Sequence, residues 1–414
     1  MRPRHLLAAA ALAAAALPLT ACTTVDRTVP LRQFASGNYS AARSWYEGRL
    51  TEDLDDEALD RNDAGTVALV QGDIEGAHRH FQEAFNIMEN LSATAGETAS
   101  AIVGSESSKT WKGDPYERCM NAYYLGVTYW LMGDVNNAAA SFKSAVLRDA
   151  DSEGGAAQSD FAVLYFLMGM AQREAEHEDK GATALAKAHA LVPKSLWLDP
   201  KRAADANLLL VLDVGLGPLK VATGSHGAVV KFQRQPYQAA FAEVFADGNA
   251  LGRTERASDI YQQAVTRGPK VIESINQGKA ILKDAAVITG AFVLENSGST
   301  SSDIIGWALI ALGILLPAEG DTRTWGTLPG EVQVLVAKLE PGEHELNISV
   351  RDKSGVVVPQ TSRKLKVTVH EGHTSFVWTR AARIEVVPPA SAQPAPATPA
   401  PAAPAGEGTL PASR

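Results

Sequence analysis

Two thiols, two close histidine pairs and one glycine pair are the residues of this 414-residue chain whose types and spacing suit chemistry. Cys22 closes an apolar run behind the small residues Thr20 and Ala21. Cys119 has no histidine near it in sequence, so it reads as a buried helix residue rather than a reactive thiol. His370-Glu371-Gly372-His373 has a metal-ligand spacing. Glu-Gly stands there where a two-residue hairpin turn belongs, so a turn is favoured over a metal site. His78 and His80 lie two apart on a helix and point to different faces, which rules out joint chelation. His189, near Pro193, reads as the end of a helix. Gly215-Leu216-Gly217 follows a strand-like run, but Pro218 and the lack of a following helix argue against a phosphate loop. Asp321, Arg323 and Trp325 invite a functional reading, although Arg323 bridging an acid and Trp325 packing a joint explain them as well. There is no Ser/His/Asp order, no zinc signature and no phosphate loop. The expectation is a protein that is not an enzyme, with no catalytic residues, no cofactor and no metal.

The elements that position these residues begin with an address. Arg2 and Arg4 precede Leu6 to Leu19, an Ala/Leu run too short to span a bilayer and suited to a secretory signal. Leu19-Thr20-Ala21-Cys22 resembles the lipobox of bacterial lipoproteins. The resemblance implies cleavage before Cys22 and lipid on its thiol and new amine. Small residues admit the peptidase, and only a thiol can take the thioether-linked diacylglycerol. Two or three acyl chains hold essentially permanently, where one holds marginally. Thr23, where lipoproteins kept in the inner membrane usually carry Asp, implies the outer membrane with the body in the periplasm. Cys119 is then left alone and no intrachain disulfide is expected.

Hydrophobic content of 45% and charged content of 21% suit a globular chain that needs no disulfide to build its core. The net charge is −9, and losing Arg2 and Arg4 with residues 1–21 takes it to about −11. Such a balance disfavours nucleic acid as a partner and electrostatic adhesion to anionic lipid.

Residues 31–195 repeat with a period near 35. The clearest unit is Tyr124-Leu125-Gly126-Val127-Thr128-Tyr129, then Gly133-Asp134, then Ala138, Phe142 and Ala145. It resembles the tetratricopeptide repeat. Gly65, Gly72, Ala77, Phe81 and Ala84 take the matching places upstream, and Tyr165, Gly169, Leu185, Ala188 and Pro193 downstream. Gly37, Ala42 and Tyr46 form a partial first unit. The equivalent positions 42, 77, 138 and 181 are separated by 35, 61 and 43 residues, so inserts interrupt the array, one of them at 92–113. Such arrays curve into a solenoid with a concave face. The family positions that line it place Met120, Tyr123, Val127 and Trp130 there in one unit, and Val163, Phe166, Met170 and Arg173 in the next. Tyr123, Trp130, Phe166 and Arg173 therefore make a candidate partner-binding groove. An equal alternative is that the chain's own linker or second half fills it.

Past Leu208 the period changes. Residues 208–214 read as a buried strand ending in a turn at Gly215. Residues 226–238 suggest a further strand, 239–247 a helical stretch, and 255–294 a helix with an apolar stripe. Ile304 to Leu316 is almost wholly apolar yet too short for a membrane span, so a buried hairpin helix leads over interfacial insertion or an oligomer contact. Residues 331–380 alternate as two antiparallel strand pairs of a small sandwich, with turns at Glu340-Pro341-Gly342 and Asp352-Lys353-Ser354-Gly355. Residues 388–414 hold 8 of the 21 prolines and read as an extended tail that could reach roughly 80 Å.

The expected organisation is α+β and multidomain. Residues 1–21 are a lipoprotein signal and 22–30 a lipidated linker. An all-α tetratricopeptide-like array fills 31–195, and 205–387 form an α+β domain with a small antiparallel sandwich. Residues 388–414 are a disordered tail. Asp114-Pro115-Tyr116-Glu117-Arg118, Gly215-Leu216-Gly217-Pro218-Leu219-Lys220 and residues 319–329 (EGDTRTWGTLP) together resemble a family of uncharacterised bacterial envelope lipoproteins with tetratricopeptide repeats. Its members are often encoded near lipoprotein activators of penicillin-binding proteins. The resemblance implies an outer-membrane-anchored periplasmic scaffold or adaptor, with envelope proteins and the cell-wall synthesis machinery as partners. It carries over no catalytic residue. The alternative is a structural subunit of a periplasmic or pore-associated assembly, oligomerising through apolar helices at 270–317.

Overall fold

A computed structural model describes residues 25–92, 110–151, 160–223, 229–266 and 321–382. The signal, Cys22, the apolar stretch 270–317 and the Pro/Ala tail lie outside the described residues.

The first half is a ladder of helix pairs. They are α1 (Thr28–Ala35) with α2 (Tyr39–Arg49), α3 (Glu57–Val70) with α4 (Ile74–Ser92), α5 (Pro115–Leu131) with α6 (Val135–Asp151), and α7 (Ala162–Glu174) with α8 (Glu178–Leu191). A short α9 (Pro200–Asp205) closes the array. Each pair turns in the same way. Gly37, Gly72, Gly133 and Glu176 take positive φ values of 86°, 82°, 83° and 62°. The next amide in each, such as Asp73 N–H to Ala68 O at 3.0 Å and Asp134 N–H to Tyr129 O at 2.9 Å, closes the ending helix in a Schellman pattern. These turns repeat at the same intervals as the small residues read from the sequence. Inside the last three pairs a glycine meets a bulky residue sixteen positions on. A Cβ at Gly65 would lie 2.8 Å from the Phe81 ring, one at Gly126 would run into Phe142, and one at Gly169 would lie 2.8 Å from Leu185. Ala42, Ala77 and Ala138 are buried on the second helices, as is Gly181.

The second half supplies β1 (Leu208–Val214), β2 (Leu219–Thr223), β3 (Val229–Gln233), β4 (Phe241–Ala246), β5 (Asn249–Arg253) and β6 (Glu255–Asp259). It continues with α10 (Ile260–Thr266), β7 (Glu331–Ala337), β8 (Gly342–Arg351), β9 (Arg363–Val369) and β10 (Ser375–Ala381). One sheet has the order β10-β1-β7-β6, a second β5-β4-β8-β9, and β2 pairs with β3. β1 is buried along its whole length, as a run apolar at every position but Asp213 suggests. It pairs parallel with β10 and antiparallel with β7.

Three expectations change. Residues 241–246 are a strand, not a helix: Ala242, Val244 and Ala246 alternate inward, and the left-handed pair Asp247-Gly248 (φ 49° and 82°) turns the chain into β5. Residues 255–259 are a strand that joins the first sheet before the helix begins at Ile260. The last four strands do not form two hairpins. β8 and β9 pair in the second sheet, while β7 and β10 flank β1 in the first. The segment 370–373 is a turn, with Gly372 at φ 78°, but it carries the chain from one sheet to the other.

Helices and sheets share a core. Phe81, Tyr124 and Val127 of the array belong to one apolar cluster with Leu210, Val334, Leu346 and Ile348 of the strands. Cys119 is buried within it. No described helix is long and apolar enough to cross a membrane.

Candidate functional site

The concave face of the array is occupied by the chain's own second half. Tyr123 is fully buried and its hydroxyl donates to Asp213 Oδ1 on β1 at 2.7 Å. Trp130 stacks on Phe376 of β10, with centroids 4.6 Å apart and planes 11° apart. Phe166 is fully buried on α7, where the neighbouring Val163 N–H donates to Ser258 Oγ of β6 at 3.0 Å. Arg173 donates to the carbonyls of Ala203 and Ala204 at the end of α9 (3.0 and 3.1 Å) and pairs with Glu178 at 3.0 Å. Of the two occupants open on sequence grounds, the structure contains the second. Of the four residues expected to hold a partner, Tyr123 holds β1, Trp130 holds β10, Arg173 holds α9, and Phe166 is buried on a helix that bonds β6.

The three motif segments, far apart in sequence, converge on this joint. Asp114 and Pro115 start α5 with an extended cap residue and a proline whose missing N–H costs nothing there. Glu117 sits in the first turn, fully buried, and takes three donors. These are its own cap amide at Asp114 (2.8 Å), the Trp325 N–H (2.9 Å) and Lys220 Nζ (2.9 Å). Lys220 also pairs with Asp114 at 2.9 Å. Burial pushes Glu117 above its ordinary value against the pull of Lys220. Lys220 is itself held above the usual lysine range, because Asp114 and Glu117 outweigh its burial.

Trp325 lies fully buried against the stacked pair Phe81 and Tyr124, at centroid distances of 6.0 and 5.6 Å. Its ring N–H reaches Thr327 Oγ1 at 3.1 Å and Thr66 Oγ1 at 3.3 Å. Arg323 bonds Asp321 at 2.7 Å and Asp56 at 3.0 Å. The bridging and packing roles read from the sequence are the ones these side chains take.

A second charged group lies beside it. Asp56, Asp60 and Asp63 stand one turn apart along one face at the start of α3, each at most 5% exposed. Arg27, Arg49 and Arg323 close on them. Arg27 reaches Asp56 at 2.8 Å, Arg49 reaches Asp60 at 3.1 Å, and Arg323 reaches Asp56. Burial pushes Asp56 upward, yet Arg27 and Arg323 overcome it and hold the group below its ordinary value. Asp63 receives the Thr327 N–H (3.0 Å) and hydroxyl (2.8 Å), and burial still drives it up to about 7.

A third group centres on Asp213. This lone carboxylate, in the apolar run of β1, accepts from both Tyr123 and Tyr124 (2.7 and 2.8 Å) and lies 3.6 Å from Arg380 of β10. Arg380 caps the carbonyls of Gly215, Thr327 and Leu328 at 2.9, 2.7 and 3.0 Å. Burial raises Asp213 despite these donors. Sequence reasoning passed over Asp213, Arg380 and the Asp56/Asp60/Asp63 row. Their signal was present: carboxylates at core positions of a strand and of an amphipathic helix face, where an acid survives only with a partner.

Each of these buried acids is engaged by cations, hydroxyls or amides of the same chain, which suits a weld rather than proton transfer to a substrate. Nor, among the described residues, do the histidines gather. His78 Nδ1 lies 3.0 Å from Thr128 Oγ1, His80 Nε2 lies 3.2 Å from Glu47 Oε1, and His373 Nδ1 lies 2.8 Å from Glu174 Oε1.

Asp63 gives the joint a pH dependence. Between the ordinary carboxyl value near 3.8 and about 7, the folded state keeps a proton that the unfolded chain has lost. Stability therefore falls as pH rises through that window and levels off above it. Across pH 5 to 8 the wild type is expected to lose about 2–3 kcal/mol more than Asp63→Asn. Urea midpoints of the two proteins at both pH values check this, and equal losses would mean that Asp63 is ionised throughout.

No family model matches the chain, and no curated protein does. Solved structures similar to it include MamA, at 13% identity, covering 41% of this chain and 77% of that one with a TM-score of 0.29. A MamA fragment from Desulfovibrio magneticus RS-1 is 17% identical, covering 41% and 75% with a TM-score of 0.31. A thermophilic TPR protein of Thermus thermophilus is 16% identical, covering 42% and 94% with a TM-score of 0.20. The tetratricopeptide-like character of the array rests on its own four turns and on the glycine–aromatic contacts within its pairs.

Proposed function

We propose that the chain is a non-enzymatic interaction scaffold, tethered by lipid on Cys22 to the periplasmic face of the outer membrane. It presents envelope proteins, the cell-wall synthesis machinery among them, with a stiff platform. The observation that carries this reading is the joint. Glu117, Asp63 and Asp213 are spent on clamping strands into the array, so the body offers its outer helix and sheet surfaces rather than a cleft. The address is supported by Leu19-Thr20-Ala21-Cys22 behind a short apolar run. A metabolic palmitate label is expected on the wild type and absent from Cys22→Ser, with the variant leaving the membrane fraction. An unlabelled wild type, or a mature N-terminus away from Cys22, removes the tether and with it the location. In-cell crosslinking of the labelled protein then names the partner.

A further inference from the structure

We infer that the end of the body formed by the start of α1 and the turn at Leu50–Asp56 lies against the lipid headgroup layer, instead of standing off on a flexible stalk. This rests on acylation of Cys22. Arg27 is welded to the body through Asp56 and Asp60, whose side chains are 7% and 0% exposed, and it lies over the Trp45 ring at 5.8 Å. Only residues 23–26 separate that weld from Cys22. An extended chain covers at most about 3.6 Å per residue, so the acylated residue sits within roughly 18 Å of Arg27. The polar layer on each side of a bilayer takes up roughly 5–8 Å of such a span. Little room remains for the body to stand away.

Two large apolar side chains at this end are left in solvent, and both are within two residues of the weld. Val29 is 45% and Leu54 69% exposed. Glu52 and Asp55, exposed in the same turn, oppose an anionic surface, so the occupant that fits is a zwitterionic headgroup layer. The partner class narrows accordingly. Proteins embedded in, or held at, the same leaflet meet this body directly.

The test uses full-length lipidated protein in vesicles of phosphatidylethanolamine and phosphatidylcholine, with a photoreactive benzoylphenylalanine replacing either Leu54 or Val356. Val356 is also exposed (63%) but lies on the loop after β8. Lipid adducts at 54 are expected to exceed those at 356 by roughly tenfold, and a Gly/Ser insert of about 20 residues after Thr24 should abolish the excess. Equal yields at the two positions in protein whose mass shows an acylated Cys22 overturn the inference and leave the lipid anchor standing. A yield at 54 unchanged by the insert overturns it too. A mass without acyl chains removes anchor and inference together.

Discussion

Lys220→Met is expected to cost about 3–5 kcal/mol, because it leaves two carboxylates facing a joint that water does not reach. Glu117 is fully buried and Asp114 largely so, and the ammonium 2.9 Å from each is what makes their burial tolerable. Methionine fills the same space without the charge, so packing loss is a minor contribution. Adding Glu117→Gln should return part of the stability, since the amide oxygen still accepts from the Trp325 N–H and the one carboxylate left without the ammonium, Asp114, is the partly exposed one. The lone Lys220→Met deficit should also shrink as pH falls. Glu117, already raised by burial, takes up a proton more readily once the cation is gone, and the folded state then binds more protons than the unfolded one. Urea midpoints for the single and double variants at pH 5 and pH 8 decide it. A double variant no better than Lys220→Met would mean that Lys220 acts through its packing.

Trp325→Ala should be comparably severe, at about 3–5 kcal/mol, through the cavity left beside the stacked Phe81 and Tyr124 rings. Trp325→Phe separates two contributions. It keeps most of the apolar contact and gives up the bonds to Thr327 and Thr66, for a loss nearer to about 1 kcal/mol. Hydrogen exchange adds a readout that a merely loosened loop would not move. In Trp325→Ala the amides of α3 and α5 should open faster, since both helices lean on this ring through Thr66 and Tyr124. If only residues 321–329 lose protection, the ring does not hold the helices.

The sequence was readable wherever structure is decided locally. Gly65 and Phe81, Gly126 and Phe142, and Gly169 and Leu185 announce a helix pair because a missing side chain and a large one must face each other at close approach. The run of β1, apolar at every position but Asp213, gave away a doubly covered strand, and Gly215 its end. What stayed hidden is decided by pairing across long stretches of chain. Tyr123 and Asp213 are 90 residues apart, and Trp325 meets Glu117 across 208. Helix spacing alone reveals the aromatic row and not what lies on it. β4 was misread for a different reason. Residues 239–247 hold four alanines and a glutamate, which favour a helix, and the deciding signals were the strand formers Phe241, Val244 and Phe245 and the Asp247-Gly248 turn that follows, a strong mark of a hairpin. The motif segments were conspicuous as strings, but their shared role appears only once they meet around Glu117.

The parallel pairing of β1 with β10 has a temporal consequence. A polypeptide is delivered N-terminus first, so the helix ladder can assemble while its covering strand is still unmade. Until residues 375–381 arrive, Trp130 lacks Phe376 and Asp213 lacks Arg380, and that end of the aromatic row has no cover. A newborn copy should therefore pass through a sticky stage that closes only when β10 is made. A holdase acting on this chain should grip that row before closure and lose its purchase afterwards.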